Sequence, residues 1–290
     1  MVTGLVPALV PRWFQLGYRS GYRVGSGDLV PRWFQHWFQL GYRSGSSYLV
    51  QQHLKRVDMK AFYMPAPNRK LLRTELTNII NSNRDIIVGE THSVTGDIGY
   101  WENGLRGNKN LIDAMWGDFD NTIFLVELSG DIDESDESRI AGRNRKYIAE
   151  YDATELLREF SRIQAKINVE KIRPHCSASE YNTIVGFLES GDPEVAEEVA
   201  HIAKRIELSH GGFAYRFAAC SVMYAAYSTG IIPESHQCSY IKHYLPSVAW
   251  DAARWASWCS EYANERTKEQ HTFGNAMITD MLRERTGWDI

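Results

Sequence analysis

The chain has 290 residues, 43% hydrophobic and 23% charged, an ordinary balance for a globular protein of one or two domains with ample length for a buried core. No window of about 18 apolar residues occurs, which argues against a transmembrane helix, and no basic-then-apolar stretch opens the chain, which argues against secretion. The net charge of −4 hides an asymmetry: residues 1–58 carry seven basic and two acidic residues (+5), leaving 25 basic against 34 acidic (−9) in the rest. An acidic body disfavours nucleic acid as its main partner.

The N-terminal segment, 1–58, is repetitive. Leu-Val-Pro-Arg-Trp-Phe-Gln stands at 9–15 and 29–35, and Trp-Phe-Gln-Leu-Gly-Tyr-Arg-Ser-Gly at 13–21 and 37–45, offsets of 20 and 24 residues. A solenoid needs a constant period, because each unit stacks on an equivalent face. The repeated peptides can instead be written as different reading frames of nearly one nucleotide word. Residues 1 to about 50 therefore read as a translated tandem DNA repeat, with a true start expected at Met59. The functional alternative is a stripe of ten aromatics and seven basic residues that stacks on single-stranded nucleic acid. Irregular structure is expected here.

From Met59 to about 190 a small domain mixing strands and helices is expected. Leu71, Leu72, Leu76, Ile79 and Ile80 recur at helical spacing over 68–80. Asp85 to Val88 reads as a buried strand closed by Gly89, with Glu90 and His92 at its carboxyl end. A short helix is predicted from Leu111 to Trp116, capped by Asn110. Thr122 to Glu127 reads as a second strand ended by Ser129-Gly130, and the acidic run Asp131 to Glu137 as a solvated loop. Asp152 is the expected N-cap of the next helix, with Glu155 at N3.

Residues 191–290 read as helices: Glu194–Leu208 started by Asp192-Pro193, Phe213–Ser228, Gln237–Tyr244, and one long helix from Pro246 to about Arg285, with Gly274 a candidate break. The fold class is thus α+β, a small α/β domain followed by an all-α, bundle-like region. In the last helix Val248, Ala252, Trp255, Cys259 and Tyr262 step by four, three, four and three, a packing stripe. Trp250 and Trp258 lie off it, with Arg254 four residues from each and placed to stack on them. Such a stripe of Trp, Tyr and Ala is a core or an oligomer interface more often than a cofactor box. His236 and His243, seven apart, read as polar edge residues. Cys176, Cys220, Cys238 and Cys259 lack metal-ligand spacing and read as reduced, packed thiols; no metal and no cofactor is expected.

The ordered series VGETH at 88–92, GDI at 96–98, Gly104-Leu105, Asp113-Ala114, VELSG at 126–130, Ala141-Gly142-Arg143 and DATELLR at 152–158 resembles an uncharacterised domain of bacteriophage and prophage proteins. The resemblance covers roughly 70–190. It implies a protein of the bacterial host cytoplasm, without implying an activity. Arg106 stands where that family usually has His, and Trp101 where it often has Cys.

Three functions compete for the segment, with Glu90, His92, Arg106 and Glu127 as the candidate catalytic residues. A metal-assisted hydrolase would use Glu90 and neutral His92 to bind a metal or activate water, in the manner of erythromycin-esterase-like enzymes. An ADP-ribosyltransferase-like enzyme would bind NAD near the Gly-Leu-Arg turn, an analogy of fold alone. The favoured reading is a non-enzymatic interaction module, with a protein partner or a second copy held by the Trp/Tyr/Ala-rich C-terminal helices.

Overall fold

The computed structural model describes residues 58–66, 71, 85–100, 103–114, 121–134, 137–209, 213–236, 248–263 and 267–289. The expectations for the repeat, for most of the 68–80 helix, for Trp101, Cys238 and His243, and for the 237–244 helix lie outside these residues, as does the Trp250 side chain. Five strands form an antiparallel sheet: β1 (Met59–Tyr63), β2 (Thr91–Ser93), β3 (Leu105–Asn108), β4 (Thr122–Asp133) and β5 (Arg139–Asp152). Seven helices accompany them among the described residues: α1 (Leu111–Ala114), α2 (Thr154–Asn168), α3 (Ala178–Ser190), α4 (Ala196–Ser209), α5 (Phe213–Tyr227), α6 (Val248–Ala263) and α7 (Thr267–Thr286). The class is α+β, with the strands in the first part of the described chain and all helices but α1 after them.

The two long strands organise the sheet. β4 pairs with both β1 and β5, β5 also pairs with β3, and β3 meets β1 through Phe62 and Asn108. The pairings therefore close a ring, β1–β4–β5–β3, with β2 added on β5. Two irregularities in the β4–β5 ladder, at Leu125/Val126 and Ser129/Ile132, bend the strands enough for this closure. Gly130, at φ 83°, sits inside the second one. It therefore bends β4 and does not end it, and the strand continues to Asp133 through the first residues of the acidic run.

Closure gives β4 two buried faces. Phe124, Val126 and Leu128 point into the ring with Ala61, Tyr63, Ile140 and Tyr147, while Ile123 on the other face packs with Phe62, Met64, Leu156, Leu157 and Phe160. A strand covered on both sides reads as a continuous apolar run, as Ile-Phe-Leu-Val does. The interior is tight at Gly107, where a Cβ would lie 2.8 Å from the Ala61 Cβ.

Three expectations in this half are corrected. Ile86 to Val88 is not a strand: Ile86 is buried, but Ile87 and Val88 are 47% and 42% exposed. Gly89 turns at φ 93° and the Glu90 N–H donates to the Ile87 carbonyl at 3.1 Å, so the β2–β5 ladder begins at Thr91. β5, absent from the sequence reading, is the most connected strand. Asp152 lies one residue before the N-cap position, which Ala153 occupies, although its carboxylate still accepts from the Thr154 N–H at 3.0 Å.

The helices build two further layers of core. α2 packs on the sheet through Leu156, Leu157 and Phe160, joined by Ala249, Ala253, Ile278 and Leu282 from α6 and α7. Its far end, with Ala165 and Val169, enters a second core with Ile184 and Phe187 of α3, Val199 and Ala203 of α4, and Ala218, Val222 and Ala225 of α5. Packing is thus continuous across residue 190, and residues 53–290 are one compact unit. α3 opens with a full capping box, Ser177 and Glu180 exchanging side-chain and backbone hydrogen bonds. Where one helix is expected from Pro246 to about Arg285, two are described, α6 and α7. Gly274 lies within α7, where it lets the helix approach Ile112: a Cβ there would stand 3.0 Å from the Ile112 Cδ1. No helix among the described residues is long and apolar enough to cross a membrane.

Candidate functional site

The four residues singled out in the sequence occupy three environments. Glu90 is exposed at the turn before β2, its carbonyl accepting from the Tyr147 N–H at 3.1 Å. Glu127 is half-buried on the outside of the ring, in register with Lys60 on one side and Lys146 on the other. Arg106 alternates outward between Leu105 and Gly107. Its Nε donates to the Tyr100 carbonyl at 2.9 Å and its guanidinium lies 5.1 Å from the Tyr100 ring centroid.

His92 alone turns into the ring, 1% exposed and in register with Arg145. It belongs to a buried polar network that the sequence did not reveal. Arg145 is fully buried, and its guanidinium lies 3.6 Å from the Tyr63 ring centroid. Arg145 Nε and Nη2 donate to the Tyr147 hydroxyl at 3.0 and 2.9 Å, and Nη1 donates to the Arg106 carbonyl at 2.8 Å. The same hydroxyl lies 2.9 Å from His92 Nδ1. With its lone pairs taken by the guanidinium, the phenol has its own O–H left to donate to Nδ1. In this state Nδ1 is an occupied acceptor. His92 is held as a strut of the ring by a contact that uses the nitrogen a general base would need.

Other motif residues also brace the fold. Arg143, from the Ala-Gly-Arg triplet, donates to Asp131 at 2.8 Å and to the Val94 and Gly96 carbonyls, clamping the 94–96 turn onto the bend in β4. Asp113 of the Asp-Ala pair joins residues from the far end of the chain: His271 Nε2 lies 3.2 Å from its Oδ1, and His271 Nδ1 lies 3.0 Å from Glu261 Oε1. Hydrogen bonds to these two carboxylates raise His271 to about 10 despite its partial burial. Burial opposes ionisation of Asp113, but the hydrogen bonds from His271 and Asn110 outweigh it and hold the carboxyl below its ordinary value. His271 is therefore an imidazolium at neutral pH, donating one N–H to each carboxylate. The Ile112 N–H, donating to Asn275 Oδ1 at 2.8 Å, completes the joint between α1 and α7.

The opposed use of the two imidazole nitrogens keeps Asp113 and Glu261 from converging on a common point, and no group of three His, Cys, Asp or Glu side chains among the described residues is placed to hold a metal. The C-terminal stripe is partly as expected: Ala252 and Cys259 are buried, whereas Trp255 and Tyr262 are half-buried. Arg254 lies over Trp255, at 5.1 Å from the ring. Trp258 instead meets Trp255 edge-on and tilts against Tyr262. His236 bonds the Tyr227 hydroxyl at 2.9 Å. Comparison with protein-family models, with curated proteins and with solved structures finds no match to this chain.

Proposed function

We propose that this chain is a phage or prophage accessory protein of the host cytoplasm, acting as a non-enzymatic interaction module that binds a protein partner through the aromatic face of α5 and α6. The observation that carries the reading is the dispersal of Glu90, His92, Arg106 and Glu127 over a turn, the interior and the outside of one closed ring. Acid–base or metal chemistry needs its groups within reach of one reacting atom. Here the buried member is fixed by Tyr147 and Arg145, and the motif that resembles phage domains supplies struts and clamps.

The partner surface rests on a different observation. Phe217, Tyr224, Trp255, Trp258 and Tyr262 are half-buried, packed ring to ring. Half-exposed Trp and Tyr beside an Arg are the residue types that dominate protein–protein binding energy. Titration calorimetry with NAD and with divalent cations tests the first part of the proposal: no heat above dilution is expected, and saturable binding of either would overturn it. Light scattering on the eluting full-length chain, alone and with W258A, tests the second. A dimer that the substitution dissociates identifies the partner as a second copy. A monomer for both directs the search to a heterologous protein, and a dimer unaffected by W258A would overturn the assignment of this face.

A further inference from the structure

α5 and α6 face each other in a single antiparallel register. Phe217 stacks on Tyr262, centroids 5.1 Å apart at 29°, and Tyr224 stacks on Trp255, 5.8 Å apart at 19°. The Ser221 hydroxyl donates to the Ala256 carbonyl at 3.0 Å within the same layer spacing. Seven residues separate the two rings on each helix. Cys220 lies three residues after Phe217, and Cys259 three before Tyr262. Positions three and four apart share a helix face. The register therefore sets Cys220 opposite Cys259, in the layer between two stacked aromatic pairs, near enough for Cys220 to hold the Cys259 thiol up. Both are free thiols, Cys259 buried and Cys220 half-buried.

We propose that Cys220 and Cys259 form a redox-active dithiol, a modification site at which a small-molecule disulfide converts the pair to a disulfide joining α5 to α6. The roles follow from the surroundings. Burial, with Cys220 and the carboxylates of Glu207 and Glu261 nearby, pushes the Cys259 thiol well up, so it is a poor first nucleophile. Cys220, reachable from solvent, attacks first. Its thiolate bonds to one sulfur of the oxidant, the oxidant S–S bond breaks, and one thiolate leaves carrying the proton that Cys220 released. Cys259 then attacks the Cys220 sulfur, expels the second half of the oxidant and passes it a proton. Two protein thiols are oxidised and one disulfide is reduced to two thiols. The product staples the two helices that carry the aromatic face.

Glutathione disulfide is the probe. The full-length protein is equilibrated at graded ratios of glutathione disulfide to glutathione, quenched with an alkylating reagent and mapped by mass spectrometry without reduction. The expected product is a single cross-linked pair of peptides joining Cys220 to Cys259. C259S should trap a stable glutathione adduct on Cys220, and C220S should leave Cys259 alkylated as a free thiol. Thiols that stay alkylatable at every ratio, a stable adduct on Cys220 of the unmutated chain, or a link to Cys176 or Cys238 would each overturn the proposal. If a serine variant fails to fold, judged by circular dichroism, the map of the unmutated chain decides alone.

Discussion

Replacing His271 with Ala removes the cation between Asp113 and Glu261, and the cost can be worked from the geometry. The histidine moves from an ordinary 6.5 to about 10 on folding. At about 1.36 kcal/mol per pH unit, that displacement bounds the electrostatic contribution near 5 kcal/mol. The imidazole is 35% exposed, so solvent screening reduces it, and about 2 kcal/mol is a reasonable expectation. The sign of the pH dependence is set. A group raised above its unfolded value contributes in full below pH 6.5 and loses the contribution as pH rises through about 10. Asp113, whose value is lowered, works in the opposite sense, its contribution fading as pH falls below the ordinary carboxylate range. Arg139 is the other charge acting on Asp113. Urea denaturation of the unmutated chain and H271A at pH values from 6 to 10.5, numbers on the order of the titration range, should give curves about 2 kcal/mol apart at the acid end that converge at the alkaline end. Equal stability at pH near 6 would refute the electrostatic reasoning. A constant gap across the range would assign the loss to packing.

Within the ring, Arg145→Lys should cost about 3 kcal/mol in denaturant unfolding, because a single ammonium cannot serve the Tyr147 hydroxyl and the Arg106 carbonyl in the fork geometry of guanidinium. Tyr147→Phe should cost about 1–3 kcal/mol by the same assay, since it leaves guanidinium donors and His92 Nδ1 without the hydroxyl they share. Gly107→Ala should lower stability by about 1–3 kcal/mol, as its methyl would press on that of Ala61 at 2.8 Å. Glu90→Gln with Glu127→Gln should change stability by less than about 0.5 kcal/mol and leave the circular dichroism spectrum intact. A loss of several kcal/mol would mean that one of these carboxylates is structurally engaged.

Much of the architecture was legible because local chemistry agreed with it. Asp192-Pro193 starts the turn that runs into α4, with the Asp192 carboxylate accepting from the Glu194 N–H at 2.9 Å. The run Thr122 to Val126 announced a strand, and the Trp255, Cys259 and Tyr262 spacing announced the contact face of α6. β5 was not legible. Its inward positions include Arg145, which reads as solvent-facing until Tyr63, Tyr147 and the Arg106 carbonyl surround it, and its bend against β4 breaks the period of two. Ile86 to Val88 looked like a strand because three apolar residues in a row carry no directional information, and the hydrogen bonds of Gly89 and Glu90 to the Tyr147 backbone decided where the chain meets β5.

The Gly-Glu-Thr-His turn and the Val-Glu-Leu-Ser-Gly strand are features of the sequence itself, and so is the seven-residue spacing that aligns Cys220 and Cys259 with their aromatic neighbours. Which residues meet is another matter. Asp113 and His271 stand 158 positions apart, and no local pattern encodes a contact that arises only when α7 folds back against α1. Side-chain periodicity reports which face of an element is apolar. Closure of the ring, which sends His92 inward and Glu127 outward, depends on how strands distant in the chain bend and pair, and only the tertiary structure decided that.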